Sequence, residues 1–144
     1  MSACDAAAST RPGRVLGVDP GTVRIGLAVS DPDRLLATPH STVAGGKGAA
    51  GRIADSFHAL GCVAVVVGLP RALGGGETAS TTMARKLADD LNRAGLPVHL
   101  HDERLTSVQA DKALRAAGRS TKTARSVKDQ VAASVLLQAW LESN

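Results

Sequence analysis

The chain has 144 residues, with 17 Lys and Arg against 13 Asp and Glu, a formal charge of +4, 44% hydrophobic residues and just two aromatics, Phe57 and Trp140. That suffices for one domain and not for two, with a core built from Val, Leu, Ile and Ala. The longest apolar run, CVAVVVGLP, falls far short of the ~20 residues of a membrane helix. Two cysteines, Cys4 and Cys62, give neither a disulfide framework nor metal-ligand spacing and read as reduced thiols.

Residues 1–13 contain no apolar segment of signal-peptide type and read as a flexible tail, leaving 14–144 as the folded domain and the cytoplasm as the default location. Residues 14–19 and 23–30 read as a hairpin. In its second arm Ile25, Leu27 and Val29 alternate with Gly26, Ala28 and Ser30, and the small residues predict an element packed close against that face. Residues 34–44 read as a third strand, at an edge because Pro39 cannot donate to a ladder. GGKG (45–48) is a loop and 49–60 a helix with Ile53, Phe57 and Leu60 on one side. CVAVVVGL (62–69) has the β-branched continuity of a strand buried on both faces. A Gly-rich loop (70–79), a helix (80–94), a strand (96–102), a helix (106–117), a basic loop and a last helix (about 126–142) complete the chain. The order βββαβαβαα predicts an α/β domain: three antiparallel strands, later strands added in parallel, helices on the faces. Strands one, four and five are expected at the centre of the sheet.

In open α/β sheets ligands gather at the carboxyl ends of the strands. Asp19 ends the first strand, and Asp102-Glu103 ends the fifth. Asp129, in SVKDQVAASVLLQAW, lies on the side of the last helix shared with Ala132, Ala133 and Leu136. Three carboxylates at one rim would repel each other unless a hard divalent cation, Mg²⁺ or Mn²⁺, joined them. Each acid has a plainer reading: Asp19 as a turn residue before Pro20-Gly21, Glu103 as a surface acid paired with Arg104, and Asp129 as part of a Ser126-x-x-Asp129 capping box.

VDPGTVRIGLAVSD, then VVVGLP, HDERLTS and a late VKDQVAAS helix, in this order over residues 14–142, closely resemble the YqgF/RuvX-like family, described as Holliday junction resolvases or pre-16S ribosomal RNA nucleases. The resemblance implies an RNase H-like fold, a mixed five-stranded sheet flanked by helices, with metal-dependent phosphodiester hydrolysis. Carried over by motif, the catalytic and metal-binding acids fall on Asp19, Glu103 and Asp129. Relatives often carry Lys after the Gly-Thr, where this chain has Val23-Arg24, so the basic charge is displaced by one residue.

Between Arg104 and Lys128 stand seven basic residues (Arg104, Lys112, Arg115, Arg119, Lys122, Arg125 and Lys128) and one acid, Asp111. Beside the acids this reads as a track for a phosphate backbone, with Arg24 and Arg71 as further contacts; the plain alternative is a solvated basic face. Scarce aromatics argue against capture of single strands by stacking and favour a structured nucleic acid. Gly74-Gly75-Gly76 suits a loop that closes over substrate or a plain surface loop, Thr106 and Ser107 a helix cap or a phosphate contact, and His99 and His101 one face of a strand, in a structural role, as ligands or as a proton relay. The partner that the family resemblance implies is a four-way DNA junction, whose symmetric cleavage needs a homodimer, or a precursor of 16S ribosomal RNA, which needs one site. Two other readings compete: a non-catalytic nucleic-acid-binding or ribosome-assembly module, and an actin-like ATPase half, since D-x-G-T also resembles the phosphate motif of that superfamily.

Overall fold

The stretches VLGV and CVAVVVGL have almost no polar side chain to offer water, and the fold buries both in the middle of a sheet. A computed structural model describes residues 13–21, 23–70, 78–102 and 121–143, with side chains in the last helix from 128 onward. The strands are β1 (Arg14–Asp19), β2 (Arg24–Ser30), β3 (Ala37–Ala44), β4 (Cys62–Leu69) and β5 (Val98–Asp102). The helices are α1 (Ala49–Ala59), α2 (Ala79–Arg93) and α3 (Thr121–Ser143). They form one five-stranded sheet in the order β3-β2-β1-β4-β5. β1 pairs antiparallel with β2 and parallel with β4, β2 pairs antiparallel with β3, and β4 pairs parallel with β5. The mixed sheet agrees with the sequence reading, as does the edge position of β3 among the described residues.

Strand alternation divides the core into two layers. Leu16, Val18, Ile25, Leu27, Val65 and Val67 pack beneath α1 and α2, against Ile53, Phe57, Leu87 and Leu91. Val15, Ala28, Ala64 and Val66 face the other way, against Ala133, Leu137 and Trp140 of α3. The helices stop where the sequence dictates. After α1 and α2 the chain turns at Gly61 (φ 68°) and Gly95 (φ 92°), left-handed positions that only glycine occupies freely. Thr78 caps α2 in a reciprocal exchange with Thr81, whose buried hydroxyl also donates to the Pro70 carbonyl.

Three expectations are corrected. β5 is an edge strand among the described residues, so the central strands are β2, β1 and β4. β3 begins at Ala37, not 34, because Asp31 accepts hydrogen bonds from the backbone N–H groups of Leu35 and Leu36 and Arg34 adopts φ 59°, tying 31–36 into a turn. α3 begins at Thr121, so Asp129 lies more than two turns inside it and is no part of an N-terminal capping box. The tail with Cys4, most of the Gly-rich loop with Arg71, the 106–117 helix, Thr106 and Ser107, Glu103, Arg104, Lys112, Arg115 and Arg119 lie outside the described residues, as do the side chains of Lys122 and Arg125.

Candidate active site

β1, β4 and β5 run parallel, so Asp19, Leu69 and Asp102 end at the same rim of the sheet. Alternation along β1 then decides which way Asp19 faces. Val15 packs against the α3 layer, and a Cβ at Gly17 would stand 2.8 Å from Leu137 Cβ and 3.1 Å from the Ala133 carbonyl. Positions 15, 17 and 19 therefore share the α3 face.

The second acid reaches this face through a glycine. Asp19 pairs directly with Gly26 of β2. A Cβ at Gly26 would collide with the backbone carbonyl of Asp129, so α3 lies with its main chain on the strand at that point. Opposed residues on antiparallel strands have Cα atoms about 5 Å apart. The backbone of Asp129 thus rests one residue pair away from Asp19, on the same face. The expectation that something packs close over Gly26, Ala28 and Ser30 is met by this helix.

Asp129 is held by Arg24: Nε donates to Oδ2 at 2.7 Å, with the side chains 38% and 22% exposed. Lys128, beside Asp129 in sequence, is exposed. No local pattern links Arg24 to Asp129, which stand 105 residues apart, so this pair was invisible to motif reading.

On β5, His99 and His101 share the α3 face, and the His99 ring lies 5.1 Å from that of Trp140. The Nε2 atoms of both are buried with no hydrogen-bond partner among the described residues. Burial lowers both pKa values; Arg34 adds to the effect at His99, and Asp102 opposes it at His101. This environment suits packing of neutral rings. On the other face, the Pro20-Gly21 turn borders a cavity of about 490 Å³ that Ile25, Lys47, Met83 and Lys86 also line.

Among the described residues no three His, Cys, Asp or Glu side chains converge as a metal cluster. Asp19 and Asp129 nonetheless supply hard carboxylate oxygens on one face of the rim, the donor type a Mg²⁺ or Mn²⁺ ion takes. The basic partner already on Asp129 meets the need for positive charge there.

Residues 13–143 match a protein-family model described as "RuvX: Holliday junction resolvase". The chain is 51% identical over 134 residues to a protein of Mycolicibacterium paratuberculosis named "Putative pre-16S rRNA nuclease", covering 90% of this chain and 80% of that one. A protein of Leifsonia xyli with the same name is 48% identical over 136 residues, covering 92% and 88%. Among solved structures, RuvC of Thermus thermophilus in complex with a Holliday junction substrate superposes with a TM-score of 0.55 at 19% identity, over 91% of this chain and 97% of that one. The Fowlpox virus resolvase with its junction DNA superposes with a TM-score of 0.56 at 11% identity, over 90% and 97%. At such identities these two likenesses concern the fold alone.

Proposed function

Since the chain belongs to the RuvX family, we propose that it is a nuclease that hydrolyses phosphodiester bonds in structured nucleic acid, with Asp19, Glu103 and Asp129 as its metal-binding, catalytic acids. One observation carries the assignment of the acids: the backbone of Asp129 rests on Gly26, the strand partner of Asp19, on one face of the sheet rim. Glu103 follows directly on Asp102, the last residue of a strand that ends at this rim.

The acids take a divalent cation, Mg²⁺ or Mn²⁺. When bound, it supplies activation of the attacking water and stabilisation of the departing 3′ oxygen. The chain's own part is placement. Asp19 projects from a strand whose neighbours Leu16 and Val18 are fully buried, so its carboxylate has a rigid base. Asp129 is fixed by close contact of α3 with β2 and by Arg24. The basic residues from Arg104 to Lys128, with Arg71, track the phosphate backbone, and the enzyme acts in the cytoplasm on its nucleic acid.

The substrate we favour is the precursor of 16S ribosomal RNA, a reading supported by the names of relatives at about half identity. The description of the matching family model supports a second reading, a four-way DNA junction cut by a homodimer. The test is cleavage of end-labelled precursor RNA, four-way junction, plain duplex and single strands, with and without Mg²⁺ or Mn²⁺. Metal-dependent cutting of the RNA, reduced at least ~100-fold in Asp19→Asn as for loss of one charge-stabilising group, is the expected result. Preference for the junction moves the assignment to the second reading. Binding without cutting under either metal makes the protein a binding module instead.

A further inference from the structure

The geometry points to a double role for Arg24, resting on the nuclease reading above: its inner edge positions the Asp129 carboxylate, and its outer edge takes a phosphate oxygen of the strand being cut. Three observations support it. First, the guanidinium reaches Asp129 through Nε alone, onto Oδ2, at 2.7 Å. A guanidinium carries five N–H donors in a rigid fork, so one bond to the carboxylate leaves most of them for another acceptor. On the carboxylate, Oδ2 accepts the Nε bond, so Oδ1 would be the oxygen offered to a cation.

Second, Arg24 stands nearer the rim than the acids' own contact point. It is two residues before Gly26 on β2, hence on the same face and about 7 Å further along the strand. β1 ends at Asp19, opposite Gly26, so Arg24 overhangs the carboxyl end of β1, where substrate arrives. Third, the Arg24 side chain is 38% exposed, against 22% for Asp129. The cation faces solvent over an acid tucked against the sheet. A planar fork anchored on one side and open on the other matches a tetrahedral phosphate better than a lysine's single ammonium does.

The pair thus joins two requirements. Without a divalent cation, Arg24 offsets the charge of Asp129 beside Asp19. Were one bound, Arg24 would still orient the Asp129 carboxylate through Oδ2 while its outer edge held the phosphate. Hydrogen bonds to metal-ligating carboxylates commonly have this orienting effect, and losing one weakens metal affinity about 10- to 100-fold.

The experiment uses the full chain in three forms: wild type, Arg24→Gln and Arg24→Lys. Mn²⁺ affinity is measured by titration calorimetry without nucleic acid, and kcat and KM are measured on the substrate the wild type cuts, at saturating Mn²⁺. Circular dichroism checks each fold. Arg24→Gln is expected to weaken Mn²⁺ binding ~10-fold or more and to leave kcat/KM at least ~10-fold low even at saturating metal. Arg24→Lys, whose one ammonium can serve one partner, is expected to hold Mn²⁺ within ~3-fold of wild type yet lose at least ~10-fold in kcat/KM. Unchanged or tighter Mn²⁺ binding in Arg24→Gln overturns the positioning role, because the arginine then merely competes with the metal. Full recovery of kcat/KM by saturating Mn²⁺ overturns the phosphate contact. If Arg24→Gln does not fold, a lysine variant equal to wild type in both measurements overturns the proposal. A wild type that binds Mn²⁺ and cuts nothing, with binding weakened in Arg24→Gln, sinks the nuclease reading and leaves the positioning role standing.

Discussion

Substituting Gly26 by Ala tests whether the approach of α3 to the sheet sets the distance between the two acids. The added Cβ would overlap the main-chain carbonyl of Asp129, and no side-chain rotation can relieve a contact between two backbones. The helix must lift, or β2 must bend. Overpacking a well-filled core costs about 1–3 kcal/mol, and a backbone-to-backbone clash belongs at the upper end. Gly26 lies in a β-strand and is not among the glycines with positive φ, so alanine also removes about 0.4–1 kcal/mol of unfolded-state entropy in favour of the fold. The net loss is about 2 kcal/mol, a drop of about 1 M in the urea midpoint for a slope near 2 kcal/mol/M. The effect on cleavage should be larger. A shift of about 1 Å in a catalytic group can cost ~100-fold in rate, and the lifted residue is Asp129 itself. Urea unfolding and kcat/KM are measured side by side, with Gly51→Ala as control: Gly51 lies in α1 with nothing within 4 Å of the added Cβ, so alanine there should stabilise slightly. A Gly26→Ala protein with wild-type midpoint and wild-type kcat/KM would refute the idea that this contact positions Asp129.

Other outcomes follow from single contacts. Burial lowers the pKa of His99 and His101 below the ordinary 6.5, so the unfolded chain binds more protons than the folded one as pH falls. Their contribution to stability is complete above about pH 6.5 and is lost as pH drops through the folded values; the melting temperature should fall between pH 7.5 and 5.5, less steeply in His99→Phe, which keeps a ring against Trp140. Burial raises the Cys62 thiol to about 11, so in a Cys4→Ser chain iodoacetamide at pH 8 should modify it only in denaturant; labelling of that native protein at the rate of a free thiol would contradict this. Gln138 of α3 accepts from the Ala37 N–H at 2.8 Å and donates to the Leu35 carbonyl at 3.1 Å, so Gln138→Ala should lower stability by about 1 kcal/mol in urea melts. Thr81→Val removes the half of the α2 capping box that accepts from the Thr78 N–H and takes the Thr81 donor from the Pro70 carbonyl, for a loss of about 2 kcal/mol by the same assay.

What could be read from the sequence was what a local pattern carries. The β-branched run 62–69 declared a strand buried on both faces, and the Gly26-Ala28-Ser30 series declared a close neighbour without naming it. Asp19 at the end of an apolar strand and Asp129 on the helix side of Ala133 and Leu136 were both legible. The place of β5 was not. A five-residue strand alternating apolar residues with histidine carries no sign of whether another strand lies beyond it. The start of α3 was misjudged because Ser126-x-x-Asp129 imitates a helix entrance, while the helix runs through it from Thr121. The Arg24–Asp129 pair had no sequence signal at all, since it exists only once β2 and α3 have met.

That meeting has a consequence for the order of events on the ribosome. Strands β1 to β3 are local in sequence and can pair well before α3 is made, but their small-residue face stays bare until α3 emerges. A contact spanning 105 residues is closed late and slowly relative to a hairpin. A chain without α3 therefore holds Asp19 without Asp129, and on the proposed assignment it lacks the acids' meeting point. On the proposed assignment of the acids, a chain still being made is harmless to the RNA around it, including the ribosome making it, until α3 has joined the sheet.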